Sequence, residues 1–494
     1  MRSTALVTLA TAVAGLLLAG TAAAAPAPGG QTVGDPYYPN DGNTGYDVGH
    51  YDLRLQYQPP TDQLSGTATI LATATQDLSQ FSFDFGLHTD SVLVNNLPAT
   101  YTSTGSKLVI TPARSLAKGS AVTVVVRYDG IPSKVTINGE QDWLRTPDGA
   151  QAVQEPHIAA FWYPANDHPT DKATYDVSVA VPNGTQVISN GTLVSSPSQL
   201  GQTRWNWRST KPQATYLTFI AIGKYDIRRS TGPDGKPVIN AYGANIGDNH
   251  DAAVASVERT PEVLSWESSV FGPFPFEAEG GVVPAVNFGF ALENQTRPVY
   301  TPGFFRSGAD MSVIVHENAH QWFGDAVSVH RWNDIWLNEG FASYAEWLWS
   351  EKEGEGTAQQ LFDYYYNSVP ADDAQWQVLP GDPGADNQFS DFAVYTRGAL
   401  ALHALRTAVG DDSFFAILKA WVASREYSDG TIDQFIAIAE KISGKPLHDL
   451  FQQWLFTPAR PAVPASFSAH TTPVKPRSVA EIDRTQVLLA QSHH

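Results

Sequence analysis

The chain has 494 residues, 31 Lys plus Arg against 50 Asp plus Glu for a formal net charge of −19, and no cysteine. That length holds two to three domains with full-sized cores, and the acidic balance, without any Lys/Arg-rich run, excludes a nucleic-acid phosphate backbone as partner. The missing cysteine excludes disulfides and a lipid-modified cysteine, so stability must come from packing and from a metal, if one binds.

Taken in chain order, the first residues read as an address. Arg2 supplies a positive start, residues 5–19 an apolar run, and Ala22-Ala23-Ala24 a small-residue cleavage site, so residues 1–24 are expected to be a signal peptide. The apolar run is shorter than the roughly 20 residues of a spanning helix. The expectation is a secreted, extracellular chain with no stable membrane anchor after cleavage. Residues 25–45, rich in Pro, Gly, Asn and Asp, read as a flexible lead-in.

Residues 46–242 alternate apolar and polar side chains in short runs, as in 51–57, 107–110 and 122–128. Turn pairs such as Asn138-Gly139 and Asp234-Gly235 separate the runs. This predicts an antiparallel β domain with one face on a core and the other in water. In residues 243–456 the pattern turns helical, with strands expected only over 280–300. Helices are predicted at 251–270, 310–324, 335–351, 356–368, 391–408, 412–423, 431–442 and 447–455. Residues 457–494, Pro-bearing and weakly periodic, read as a tail, and its last two histidines, His493 and His494, are too few for a metal site. The whole is an α+β multidomain chain.

The chemistry concentrates in 313–342. His316 and His320 lie four residues apart, one turn along one helix face, so both imidazoles can reach one metal ion. Glu317 beside them is placed to act on a water held by that metal. Glu339, on the next predicted helix, is the candidate third ligand, completing two histidines and a carboxylate with a position open for water. Such a set suits zinc, one ion per chain. His330 is the poorer ligand candidate, because its segment reads as a loop where histidines are usually exposed.

The stretch His316-Glu317-Asn318-Ala319-His320, eighteen residues, then Glu339-Gly340-Phe341-Ala342, resembles the core of the M1 family of zinc aminopeptidases. Further segments carry the likeness. Phe290-Ala291-Leu292-Glu293-Asn294 is similar to the family's exopeptidase motif, Val394-Tyr395-Thr396-Arg397-Gly398 to the segment with its catalytic tyrosine, and Glu155-Pro156 with Trp162-Tyr163-Pro164 to a β-domain stretch that contributes to the amine pocket. The resemblance implies an N-terminal antiparallel β domain followed by a thermolysin-like, mainly helical zinc catalytic domain. It implies His316, His320 and Glu339 as metal ligands and Glu317 and Tyr395 as catalytic residues. It also implies Glu293 and Glu155 as binders of the free amine of a peptide substrate. In this sequence Phe290 stands where the family usually has Gly, Leu292 replaces Met, and Ala165 replaces a frequent Cys. The short stretch after 456 is expected to leave the site without the large helical roof of longer members. The rival readings are a thermolysin-like endopeptidase, which shares the zinc set without the amine pocket, and a non-catalytic binding module on the same fold.

Overall fold

A computed structural model describes residues 25–463 and 475–490 of the chain. The expected signal peptide, 1–24, and the terminal histidines lie outside these residues. Among the described residues no helix is long and apolar enough to cross a membrane.

The N-terminal half is built on a nine-stranded sheet. Its long strands, Tyr46–Gln58, Gln63–Ala74 and Ala121–Gly130, pair antiparallel in sequence with every second side chain buried. That alternation is what the sequence periodicity requires. One pairing departs from it: Ala173–Pro182 runs parallel to Tyr46–Gln58, with Tyr175 opposite Tyr51. The two rings stack with centroids 5.0 Å apart. The inner faces meet smaller sheets over a core that includes Tyr51, Leu53, Ile70, Trp162 and Trp207.

The lead-in is not flexible. Asp35, Asp41 and Asn43 are buried because each finds partners far along the chain. Asp35 accepts from the Trp332 amide at 2.9 Å, the Tyr38 hydroxyl donates to Gln388 at 2.8 Å, and Asn43 donates to Asp84 at 2.8 Å. Polar residues so satisfied can be buried at little cost, which composition alone cannot reveal.

The boundary expected at 242/243 also moves. Tyr225–Thr231 and Pro237–Gly243 form one five-stranded sheet with Glu279–Val283, Val299–Tyr300 and Ala291–Leu292, and Pro237–Gly243 pairs in parallel with Glu279–Val283. These two strands therefore belong to the C-terminal half. Around the sheet stand helices α1 (His250–Val257), α2 (Thr260–Phe271), α3 (Met311–Ala319), α4 (Trp336–Glu353), α5 (Ala358–Ser368), α6 (Arg397–Val409), α7 (Asp411–Arg425), α8 (Ile432–Ser443) and α9 (His448–Leu455). α5 and α8 begin with capping boxes, at Thr357/Gln360 and Thr431/Gln434.

The tail reading of 457–494 needs correction as well. Val479–Ala490 forms helix α10, with Val479, Ile482 and Leu489 in the helical core. Glu481 on α10 accepts from the Met311 amide and, at 3.0 Å, from the Ser312 amide. Thr485 donates to Asp310, the N-cap of α3. The C-terminal helix thus satisfies amides at the start of α3 that no intrahelical carbonyl can reach.

Candidate metal centre and amine pocket

α3 carries His316 and Glu317 in its last turns and ends one residue short of His320. It stops before the 324 expected from periodicity because the backbone turns: the Asp325 amide donates to the His320 carbonyl at 2.9 Å, and Gly324 takes φ +137°, a value that favours glycine. The turn brings the Phe323 carbonyl under His320, whose Nδ1 lies 3.0 Å from it.

Glu339 enters from α4. At Gly340 an added Cβ would lie 2.5 Å from Trp336 Nε1, and at Gly398 one would lie 3.0 Å from the Gly340 Cα. Two glycines therefore let α4 and α6 approach backbone to backbone. Tyr395, in the turn of π-helix Asp391–Thr396 that opens α6, is carried beside the metal helix. Its ring stacks on that of His316, with centroids 5.7 Å apart and planes 22° apart.

The Nε2 atoms of His316 and His320 lie 3.1 and 3.5 Å from Glu339 Oε2, and all three donor groups are buried. His316 Nδ1 is engaged by Glu346 Oε1 at 2.8 Å, and Ser312 donates to the other oxygen of Glu346. With both Nδ1 atoms held by acceptors, each imidazole turns a lone pair on Nε2 toward one point shared with a carboxylate oxygen. That donor set fits a zinc ion with a fourth position free for solvent or substrate.

Electrostatics agree with the geometry. Burial opposes charge on Glu339, yet His320 and His316 hold its carboxyl far below the usual range. Burial alone would keep His316 neutral, but hydrogen bonds to Glu339 and Glu346 push it up to about 9. The carboxylates that draw protons onto these imidazoles would equally draw a divalent cation, which takes the protons' place. Burial pushes Glu317 up to about 8 against the pull of both histidines, and its Oε1 is buried without a hydrogen-bond partner.

Glu293 and Glu155 complete the cluster. Both are buried and raised by burial. Glu155 is raised further by Glu293 and Glu339, and its Oε1 has no hydrogen-bond partner. Glu293 accepts from the Tyr216 hydroxyl at 3.1 Å. Crowded carboxylates without a cation are costly when buried, so the pocket is suited to a positive group from outside. Phe290 and Leu292, at the departures from the family motif, are buried in the core of the β half, while Ala291 between them belongs to the helical core.

All seven candidate site residues, His316, Glu317, His320, Glu339, Glu293, Glu155 and Tyr395, are thus gathered at one place. His330 is not among them; it is half exposed and bonds Asp429 at 2.8 Å. Sequence reasoning missed Glu346 and Tyr216. Glu346 follows Glu339 by seven residues, two turns along the same helix face, a signal that was available. Nothing in the sequence points to Tyr216. Lys172 of the β half donates to the carbonyls of Asp325 at 2.7 Å and Ala326 at 3.2 Å, tying the β half to the turn behind His320.

Two histidines and a glutamate on adjacent helices, with a further glutamate beside them and a β half closing the pocket, make a candidate zinc centre between a β half and a helical half. Residues 48–217 match the model of the peptidase M1 N-terminal domain and residues 306–454 that of the peptidase family M1 domain. Together they account for more than half of the chain, which belongs to peptidase family M1. Glutamyl aminopeptidase of Rattus norvegicus is 25% identical over 476 residues, 86% of this chain and 48% of that protein. Aminopeptidase N of Streptomyces lividans is 27% identical over 312 residues, 59% of this chain and 36% of that protein. The chain thus spans about half the length, or less, of these curated relatives. The M1 zinc metallopeptidase of Deinococcus radiodurans superposes with a TM-score of 0.79 at 28% identity, covering 90% of this chain and 100% of that one.

Proposed function

We propose that the chain is a zinc aminopeptidase that hydrolyses the N-terminal bond of peptides. The observation that carries this reading is the pair Glu293 and Glu155, two buried carboxylates facing the metal centre, which an enzyme cutting internal bonds would not need. The family supports it, as does a Deinococcus radiodurans M1 zinc metallopeptidase solved with a Tyr-Ser-Ala substrate bound.

In this reading His316, His320 and Glu339 hold zinc, which when bound supplies a Lewis acid for the scissile carbonyl and lowers the pKa of water. Glu317 takes the proton of the attacking water and delivers it to the departing amine. Tyr395 donates its phenol hydrogen to the oxygen that gains charge as water adds, a bond stronger in the transition state than in the ground state. Glu293 and Glu155 accept charge-assisted hydrogen bonds from the substrate's ammonium, which a blocked or internal residue cannot offer. Secretion is part of the proposal; the apolar run 5–19 and the small residues at 22–24 support it.

The test pairs one peptide with free and with acetylated N-termini, and wild type with Glu317→Gln. Wild type is expected to cleave only the free peptide, and Glu317→Gln to retain one zinc per chain with turnover abolished. Equal cleavage of both peptides would establish the endopeptidase instead, and absence of zinc from the purified protein would return the binding-module reading.

A further inference from the structure

A second group of metal-ligating side chains lies in the β half. His157 Nδ1 is 3.2 Å from Asp41 Oδ2, and His157 Nε2 is 3.1 Å from Glu140 Oε2. Asp142 completes the set: ligand atoms of Glu140, Asp142 and His157 all lie within 4.8 Å of one another, as do those of His316, His320 and Glu339. The distances are similar to those at His316, 2.8 and 3.1 Å, but the buried Nδ1 and Nε2 of His157 have no hydrogen-bond partner.

An independent observation points to a ligand. Asp142 is 7% exposed; its Oδ1 accepts from Gln154 Nε2 at 3.4 Å, while Oδ2 is buried with no hydrogen-bond partner. A buried carboxylate oxygen without a partner is costly, and a cation between Asp142 and His157 removes that cost. Glu140, half exposed, leaves a way in.

We propose that His157, Glu140 and Asp142 bind a second divalent cation of the zinc class, with Asp41 fixing the imidazole so that Nε2 faces the ion. One imidazole and two carboxylates suit zinc or a similar borderline ion. Calcium is disfavoured because it takes six to eight oxygens.

The ion would act on the amine pocket, a consequence that rests on the aminopeptidase reading. Gln154 bonds Asp142 through Nε2 and accepts from the Glu155 amide through Oε1 at 3.1 Å. Tyr38 packs edge-on against both His157, at 5.8 Å, and Trp332, at 6.0 Å. The ion thus makes positioning residues of Asp142 and Gln154, and fixes the loop that presents Glu155.

The experiment strips the full chain of metal and titrates it with Zn2+, reading stoichiometry by metal analysis after gel filtration. Wild type is expected to bind two equivalents, and His157→Gln, Asp142→Asn and Glu339→Ala one each. Asp142→Asn, isosteric with the native side chain, keeps the test open if His157→Gln does not fold. With metal restored, Asp142→Asn is expected to raise KM for an aminoacyl amide several-fold, with kcat changed less. Saturation of wild type at one equivalent overturns the proposal and leaves His157 as an imidazolium between Asp41 and Glu140. A second equivalent retained by both β-half variants overturns it too, placing that ion elsewhere. If Glu339→Ala alone keeps both equivalents, the metal centre assigned above fails while the second site stands.

Discussion

Two side chains beside the metal helix test the reaction and the ion separately. Tyr395 lies against the face of His316 with its hydroxyl as the only polar atom to offer. Tyr395→Phe keeps the ring and removes the donor, so kcat is expected to fall about 10²- to 10³-fold, as for other single oxyanion donors, with zinc content unchanged. A shift in KM alone, read from full saturation curves, would assign Tyr395 to packing. Glu346, buried behind His316, acts through the imidazole Nδ1. Glu346→Gln is expected to weaken zinc binding about 10- to 100-fold, measured by competition with a chelating dye. The histidines, Glu317 and Glu339 were legible because their spacing is itself the chemistry. Glu155 and Glu293 were legible only through the family motifs, since a lone acid between turns has no spacing to betray it.

Among the elements, most helices were legible to within a few residues from period and caps, and α10 was not. Its buried positions include Thr485 and Gln486, polar residues that mimic a solvent face. Thr485 donates to Asp310 at 3.1 Å and Gln486 Oε1 accepts from Thr396 at 3.1 Å, groups some 90 to 175 residues away. Periodicity cannot see a partner that distant. α10 therefore touches both the start of α3 and the residue after Tyr395. Glu481→Ala removes an acceptor from the first amides of α3 and is expected to cost about 1 kcal/mol, the usual scale of a lost helix cap. The check is a urea midpoint lowered with an unchanged slope, in protein that still binds zinc.

At the scale of the whole molecule, acid stability falls on a third kind of histidine. His403 on α6 lies 3.0 Å from the Tyr344 hydroxyl of α4 and 3.1 Å from Gln359 of α5. Burial, with Arg406 nearby, drives it down to about 3. Its folded value lies below the unfolded one, so its contribution is complete above about pH 6.5 and is lost as the pH falls toward 3. Comparing the wild type with His403→Asn by thermal unfolding between pH 7 and 4 should show a shallower acid-side loss in the variant. Parallel curves would mean that other groups carry the slope. The β half followed from alternation, but its true limit did not, because the parallel pairing of Pro237–Gly243 with Glu279–Val283 spans an intervening helical segment. The lead-in was hidden for the same reason: Asp35 meets Trp332 across 297 residues. That last contact also sets an order of events. Closing so long a loop is favourable only once both halves already hold their ends in place. As the chain is synthesised, Asp35 is made long before Trp332, and this contact cannot close until the helices behind the metal site have been made and packed.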